Sequence, residues 1–453
     1  MFQSTKRTSN ELRNVDDMTT SWTFSQAVAE ASRCLLCLDA PCSSSCPADT
    51  DPGTFIRKLR LKNVKGAIRT IKTNNILGGA CGIVCPVEEL CQKSCSATEI
   101  DRPIEIGRIQ RFLVELGWSM NFDPLPPKAT ARPEKVAIIG GGPAGLTCAA
   151  SLAQAGFSVT VFEAKSRVGG NLRYGVPEFR LSAEFVEREF QDIANLGVEF
   201  RCDSPVGANG VDALLAEGYA AVFMGVGIWK PRHLEVPGTE LENVLSSMDF
   251  LESMRAGRRD AIEAKVRGKN IAVVGGGSVA VDVACTSKAL GANKVYILYR
   301  RSLKEMPASK DELQMARDNH VSIRSQSVVT KLLGEDGKLT GLEGIETDWD
   351  VPGVFTAENL RQVPGTEFKL KVETFVMALG NHTHHDTPAI GPAIERRSHG
   401  LVVTGADGVS TSQSRVFAGG DDIRGSGTVV EAVADGKKAA KLIIANLSAP
   451  TID

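Results

Sequence analysis

The chain has 453 residues, with 52 Lys and Arg set against 54 Asp and Glu for a net charge of −2. Acids and bases are intermixed, which leaves no charged footprint for nucleic acid or an anionic membrane. No apolar run approaches the ~18 residues that a spanning helix needs, so the composition points to two or three water-soluble domains, each able to bury a core.

Met1–Lys6 lacks the apolar core of a secretory signal. With an odd cysteine count, this fits a reducing, cytoplasmic setting in which thiols serve metal rather than disulfides. Phe24–Ala31 reads as a helix leading into the first of eight clustered cysteines. These run Cys34-x2-Cys37-x4-Cys42-x3-Cys46, then Cys81-x3-Cys85-x5-Cys91-x3-Cys95. Eight thiolates suit two [4Fe–4S] clusters, because soft sulfur donors hold iron and bridging sulfide. Structural zinc is the rival for paired cysteines. The uneven spacings, the prolines directly after Cys46 and Cys85, and the lack of a nearby histidine count against it. Between the two cysteine groups, Thr54–Thr73 carries a helical amphipathic pattern with basic outer positions. Arg57, Lys58, Arg60, Lys62 and Lys65 are either a solvated face or a docking surface for an acidic partner. Residues 1–130 are therefore expected to form a helical iron–sulfur domain, closed by the proline-rich boundary Asn121–Pro127.

Beyond it the pattern becomes α/β. Lys135–Ile139 is a continuous apolar run, as in a parallel strand covered on both faces. It enters Gly140-Gly141-Gly142-Pro143-Ala144-Gly145, then a helical run, then the strand Ser158–Phe162. Glycines in that strand–turn–helix context mark a dinucleotide-binding turn, and the helix N-terminus offers free N–H groups to phosphates. Glu163 follows the second strand, where a carboxylate suits a ribose and repels a 2′-phosphate, so FAD or NAD fits. Gly169-Gly170-Asn171-Leu172 and Val416–Asp421 resemble the later phosphate turn and the C-terminal flavin motif of flavoprotein reductases, which selects FAD. Candidate contacts are Gly140, Gly142, Ala144, Gly145, Glu163, Gly170, Leu172, Gly420, Asp421 and Thr428.

A second unit starts at Asn270–Val274, turns at Gly275-Gly276-Gly277-Ser278-Val279-Ala280 and returns as Lys294–Tyr299. Its second strand ends in Arg300-Arg301 rather than an acid. Paired guanidinium groups suit a 2′-phosphate, so NADPH is expected, with NADH as the alternative. Candidate contacts are Gly275, Gly277, Ser278, Ala280, Arg300, Arg301, Ala378 and Gly380. A strand over Glu373–Ala378 and a helix over Thr428–Leu447 complete the chain. The expected fold is α+β and multidomain: the helical domain, an FAD-binding domain (131–243 and 369–453), and an NAD(P)H-binding domain (244–368) inserted into it, both Rossmann-like. Cys148, Cys202 and Cys285 read as small buried hydrophobes. No histidine is placed as a general base, and none is required for hydride transfer to a flavin.

Glu30-Ala31-Ser32-Arg33-Cys34-Leu35-Leu36-Cys37-x-Asp39-Ala40-Pro41-Cys42 and Cys81-Gly82-Ile83-Val84-Cys85-Pro86 are similar to motifs of the glutamate synthase small-subunit-like flavoproteins. Within these the chain most resembles the electron-input part of dihydropyrimidine dehydrogenase. The resemblance implies that Cys34, Cys37, Cys42 and Cys95 hold one cluster. It gives the other to Cys46, Cys85, Cys91 and Gln110, with Cys81 a bystander; an exposed helix residue is the alternative reading of Gln110. It also implies an FMN-containing partner subunit, in a heterotetramer, that reduces uracil or thymine. Glutamate synthase and a ferredoxin–NADP transhydrogenase are the alternative assemblies. Arg300-Arg301 departs from the NADH-linked pattern of the bacterial pyrimidine branch.

Overall fold

The computed structural model describes residues 21–448. The reading of Met1–Lys6, and the first 20 residues of the expected helical domain, lie outside that range.

Among the described residues, every regular element of the N-terminal segment is a helix. Thr23 caps Phe24–Ser32 with a reciprocal pair of hydrogen bonds to Gln26. The amphipathic stretch expected as one helix is two, Pro52–Arg60 and Val64–Asn74. Lys62 turns into the left-handed region (φ 59°), and Asn63 caps the second helix by accepting from the Gly66 N–H at 3.0 Å. The apolar spacing runs through the break, so periodicity alone does not reveal it. Phe55, Ile56 and Leu59 from the first helix meet Ile68 and Ile71 from the second and Ile109 and Leu113 from Ile106–Ser119 in one core.

The first sheet is parallel, in the order Val416–Ala418, Ala221–Met224, Lys135–Ile139, Ser158–Phe162, Glu199–Arg201. Its central strand is buried from Val136 to Ile139, which accounts for the unbroken apolar run. Helix Pro143–Gln154 follows the glycine turn with proline in its first turn, where the missing N–H costs nothing. The long helix Val429–Ser448 packs on it.

The second sheet is also parallel, in the order Val244–Ser246, Thr374–Met377, Asn270–Val274, Lys294–Leu298, Val321–Arg324. An antiparallel group built on Ser327–Glu335 and Lys338–Trp349 continues that unit.

The described chain forms two compact units. One holds Tyr174–Phe179 and Pro231–Asn381. The other holds the N-terminal helices, Arg180–Lys230 and the segment from His382 onward. The helical segment therefore shares a unit with the first sheet. The second unit also takes in residues 231–243 and 369–381, which the sequence reading placed on the flavin side. The reason is strand pairing: Thr374–Met377 lies in register between Asn270–Val274 and Val244–Ser246, and a short buried strand carries no local mark of the sheet it joins. Among the described residues, no helix is long and apolar enough to cross a membrane.

Candidate functional site

Among the described residues, three cavities of the unit built on the first sheet gather the expected flavin and cluster residues. The largest, about 650 Å³, opens over the glycine turn, a size suited to a large cofactor. Gly140, Gly142, Ala144, Glu163, Gly170, Gly420, Asp421 and Thr428 all line it, as expected from the sequence. Gly145 and Leu172 do not. A Cβ at Gly145 would stand 2.0 Å from the Gly140 carbonyl oxygen, so its bareness serves helix–strand packing. Leu172 is fully buried, and its neighbour Asn171 faces the cavity instead. Gly142 is open: a Cβ there would meet only the Gly170 Cα, at 4.0 Å, which leaves room for a phosphate at the helix N-terminus. Glu163 is held by backbone, accepting from the Gly141 N–H and the Lys165 N–H at 2.8 Å each. Sequence reasoning missed Trp229, whose ring lies under Lys165 Nζ at 4.4 Å, and His384 and Thr387, which line the same cavity. A flanking Gly-Val-Gly turn at 225–227 was the available signal.

Burial, reinforced by Glu431 and opposed by Arg424, pushes the Asp421 carboxyl up to about 6. Burial does the same to Asp422 against Arg396. Both folded values lie above the ordinary carboxylate range, so the native state holds extra protons between about pH 4 and 6. Their contribution is complete below pH 4 and is lost as pH rises through 6. A melting series on the purified chain is therefore expected to show these two groups lowering Tm between about pH 4 and 6, by up to roughly 3 kcal/mol each. Asp421→Asn is expected to flatten part of that slope.

The second cavity collects Cys34, Cys37, Cys42 and Cys95 with Leu35, Leu36 and Arg57 around them. Burial, then Cys95 and Cys34, push the Cys42 thiol up to about 11. Arg60 Nη1 donates to the Cys34 carbonyl at 2.8 Å, and Arg57 Nη2 donates to that of Cys37 at 3.4 Å. Lys58 Nζ turns to Thr70 at 2.7 Å. Arg60 and the exposed Arg57 thus brace the cysteine loop, and Lys58 ties its helix to the next.

The third cavity collects Cys46, Cys81, Cys85, Cys91 and Gln110. Burial, then Cys46, push Cys91 up to about 12. Cys85 is raised by its hydrogen bond with Cys81, then by burial and by the charges of Cys81, Cys91 and Cys46. Thiols that raise one another in this way cannot all ionise alone, whereas iron would take their protons' place. Gln110 is buried rather than exposed, and its Nε2 donates to the Gly78 carbonyl at 2.5 Å. That bond commits the amide nitrogen and leaves the oxygen as the atom able to meet a metal. Cys81, the expected bystander, also faces this cavity.

A buried ion cluster anchors the third cavity. Glu189, from helix Ala183–Ala194, accepts the Gly79 and Ala80 N–H groups at 2.7 Å each, capping the helix Gly78–Val84 that carries Cys81 and ends at Cys85. Burial opposes a charge on Lys72, but Asp192 at 2.9 Å and Glu189 at 3.4 Å outweigh it. Glu189→Ala would leave the Lys72 charge to Asp192 alone and strand two buried backbone donors. It is expected to destabilise the unit by about 3–5 kcal/mol, read by denaturant unfolding, with Glu189→Gln less severe.

In the other unit, a Cβ at Gly277 would meet nothing within 4 Å, whereas Ala280 is fully buried and packs in place of the third glycine. Ser278 Oγ donates to Glu312 at 2.9 Å. A Cβ at Gly275 (φ 144°) would stand 2.2 Å from the Ala378 carbonyl oxygen, so these two expected contacts form one close approach. Arg300 is exposed, while Arg301 lies 4.4 Å over the Phe355 ring with a buried Nε that has no partner. An arginine pair at the end of the strand that follows the glycine turn, with Gly277 open, fits a phosphate ligand.

Two family models match the chain: the dihydropyrimidine dehydrogenase domain II, 4Fe–4S cluster family over residues 11–122, and the pyridine nucleotide-disulphide oxidoreductases over residues 134–436. It is 37% identical to the NAD-dependent dihydropyrimidine dehydrogenase subunit PreT of Salmonella typhimurium, over 95% of this chain and 96% of that one. The chain belongs to the glutamate synthase small-subunit-like flavoproteins. Another member, the glutamate synthase [NADPH] small chain of Escherichia coli K12, is 32% identical over 92% of this chain and 90% of its own. Mycobacterium tuberculosis FprA in complex with NADPH shares the fold of the nucleotide-binding part, with a TM-score of 0.58, 18% identity, and coverage of 70% and 85%. As a member of this family the chain is an oxidoreductase whose cofactors are [4Fe–4S] clusters, FAD and a pyridine nucleotide. The cavities, thiols and glycine turns described above fit that set.

Proposed function

We propose that this chain is the electron-input subunit of a dihydropyrimidine dehydrogenase. In this reading it oxidises NAD(P)H and supplies electrons to an FMN-containing partner that reduces uracil or thymine to the 5,6-dihydropyrimidine. One observation carries the reading: the three cavities adjoin in series. Val429 lines the large cavity and Val430, the next residue of the same helix, lines the cavity of Cys46, Cys85, Cys91 and Gln110. Ile106 lines both that cavity and the one with Cys34, Cys37, Cys42 and Cys95. When bound, the flavin would take a hydride pair and the clusters would carry electrons singly.

The chain's own residues supply the rest. The glycine turns and helix N-termini bind phosphates, Asp421 and Glu163 offer polar anchors in the large cavity, and Val429, Val430 and Ile106 form thin apolar partitions that exclude water. Identity with PreT over nearly the full length supports the pyrimidine branch. The small chain of glutamate synthase is the second reading, favoured by the Arg300-Arg301 pair and the NADPH in that relative's name. Mixing the chain with each kind of partner separates them. Uracil-dependent NAD(P)H oxidation is expected, and oxidation dependent only on glutamine and 2-oxoglutarate would reject the pyrimidine assignment.

The fourth position of the inner cysteine cavity is assigned to Gln110, whose oxygen is free to ligate. Gln110→Ala is expected to shift the EPR signature of one cluster, whereas Cys81→Ala leaves it unchanged. The reverse pattern would transfer the ligand role to Cys81.

A further inference from the structure

We propose that the loop Leu35–Leu38, flanked by Arg57, is a docking face for an electron-accepting protein subunit with an acidic rim, and that Leu38 anchors it. This deepens the electron-input reading and rests on it.

A single exposed leucine needs no explanation. Here three stand within four consecutive residues: Leu38 is 92% exposed, Leu35 48% and Leu36 40%. Leu36 holds a left-handed backbone (φ 57°), which a bulky side chain rarely adopts. The hydrogen bonds from Arg60 and Arg57 to the Cys34 and Cys37 carbonyls brace the loop at both ends. The loop is therefore presented in a fixed shape, as a low-entropy docking element requires.

Its place in the fold gives it meaning. Leu35 and Leu36 line the cavity of Cys34, Cys37, Cys42 and Cys95, which lies at the far end of the series from the large cavity. They form the outer wall of the last position an electron would occupy. Leu38 does not line that cavity, so shielding the metal does not account for it.

Charge identifies the occupant. From Pro52 to Cys85 the chain carries seven cations (Arg57, Lys58, Arg60, Lys62, Lys65, Arg69, Lys72) and no Asp or Glu. Arg57, Lys62, Lys65 and Arg69 are exposed. Asp39, directly after the loop, is an exposed acid. An apolar loop with Arg57 and Arg60 against it, at the start of an acid-free basic stretch, matches a protein carrying an apolar patch with carboxylates around it. An anionic bilayer would also meet these charges, but it would have no reason to sit at the mouth of a metal-binding cavity.

The test uses the full-length, cofactor-loaded chain and measures dissociation constants at low and high salt. Three probes are used: the FMN-containing pyrimidine-reducing subunit, a plant-type acidic [2Fe–2S] ferredoxin, and phosphatidylglycerol vesicles. The variants are Leu38→Glu, Leu38→Met and Arg57→Glu, with iron and flavin content and ferricyanide reduction as controls on Leu38→Glu. Leu38→Glu is expected to weaken partner binding by at least about tenfold with those controls unchanged, and Leu38→Met to stay within about twofold of the parent. Arg57→Glu is expected to flatten the salt dependence. Wild-type affinity in Leu38→Glu overturns the docking face and leaves the electron-input role intact. Binding of ferredoxin but not the pyrimidine subunit, abolished by Leu38→Glu, keeps the face and rejects the pyrimidine assignment. Binding to vesicles alone, or a dimer of the chain dispersed by Leu38→Glu, overturns the proposal.

Discussion

Cys85→Ser is expected to remove about half of the iron and to abolish electron delivery to a partner, while NAD(P)H still bleaches the flavin. Cys85 stands where the most groups meet: its thiol touches Cys81 and feels Cys91 and Cys46, and it terminates the helix that Glu189 caps. Serine keeps the shape but replaces a soft donor with a hard, weakly acidic one, which binds iron poorly. Because the affected cavity lies between the large cavity and the outer cysteine set, losing it breaks the series rather than narrowing it. A fall of at least about a thousandfold in partner-linked turnover is expected, since no other described cavity joins the two ends. The large cavity shares no cysteine with the broken site, so flavin content should hold. Iron analysis, EPR of the reduced chain and stopped-flow absorbance read the three outcomes separately. Full iron retention in Cys85→Ser would remove it from the ligand set.

Replacing Arg300 by Glu and Arg301 by Ala together is expected to reduce kcat/KM for NADPH by roughly a hundredfold and leave NADH within a factor of about three. Charge-assisted hydrogen bonds to a phosphate contribute about 1.5–3 kcal/mol, and two arginines at one strand end supply a fork of donors. The structure divides the work between them. Arg300 is exposed and free to close on a ligand, whereas Arg301 is held over Phe355 with an unpaired buried Nε. NADH lacks the 2′-phosphate and loses nothing by the change. Steady-state kinetics with both nucleotides decide it. An equal loss for both would show that the pair supports the strand end instead of reading the nucleotide.

Sequence reasoning served best where one physical demand dominates. Both glycine turns were legible because strand, turn and helix must follow one another closely for a phosphate to reach the helix end. The eight cysteines stood out because iron–sulfur chemistry admits few donors; their division between two cavities came from the family resemblance, and Cys81 joins the inner cavity against it. What the sequence hid depends on partners distant in the chain. The break at Lys62–Asn63 is invisible to a hydrophobic period that runs through it. Thr374–Met377 looks like any buried strand, and only its pairing assigns it to the second sheet. Leu172 resembled a cofactor contact by motif position, but the turn directs Asn171 into the cavity in its place. The Lys72–Glu189–Asp192 cluster joins residues more than a hundred positions apart, and Glu189 in a helical pattern looks like one more solvated acid.

The proposed electron path needs a flavin site and two adjoining iron–sulfur sites in one polypeptide. Anaerobic purification followed by metal, sulfide and flavin analysis, with a dithionite titration watched by EPR, tests this most directly. The expected result is about eight iron, about eight acid-labile sulfide and about one FAD per chain, with two interacting paramagnetic centres on reduction. Zinc in place of iron, with no acid-labile sulfide, would contradict it.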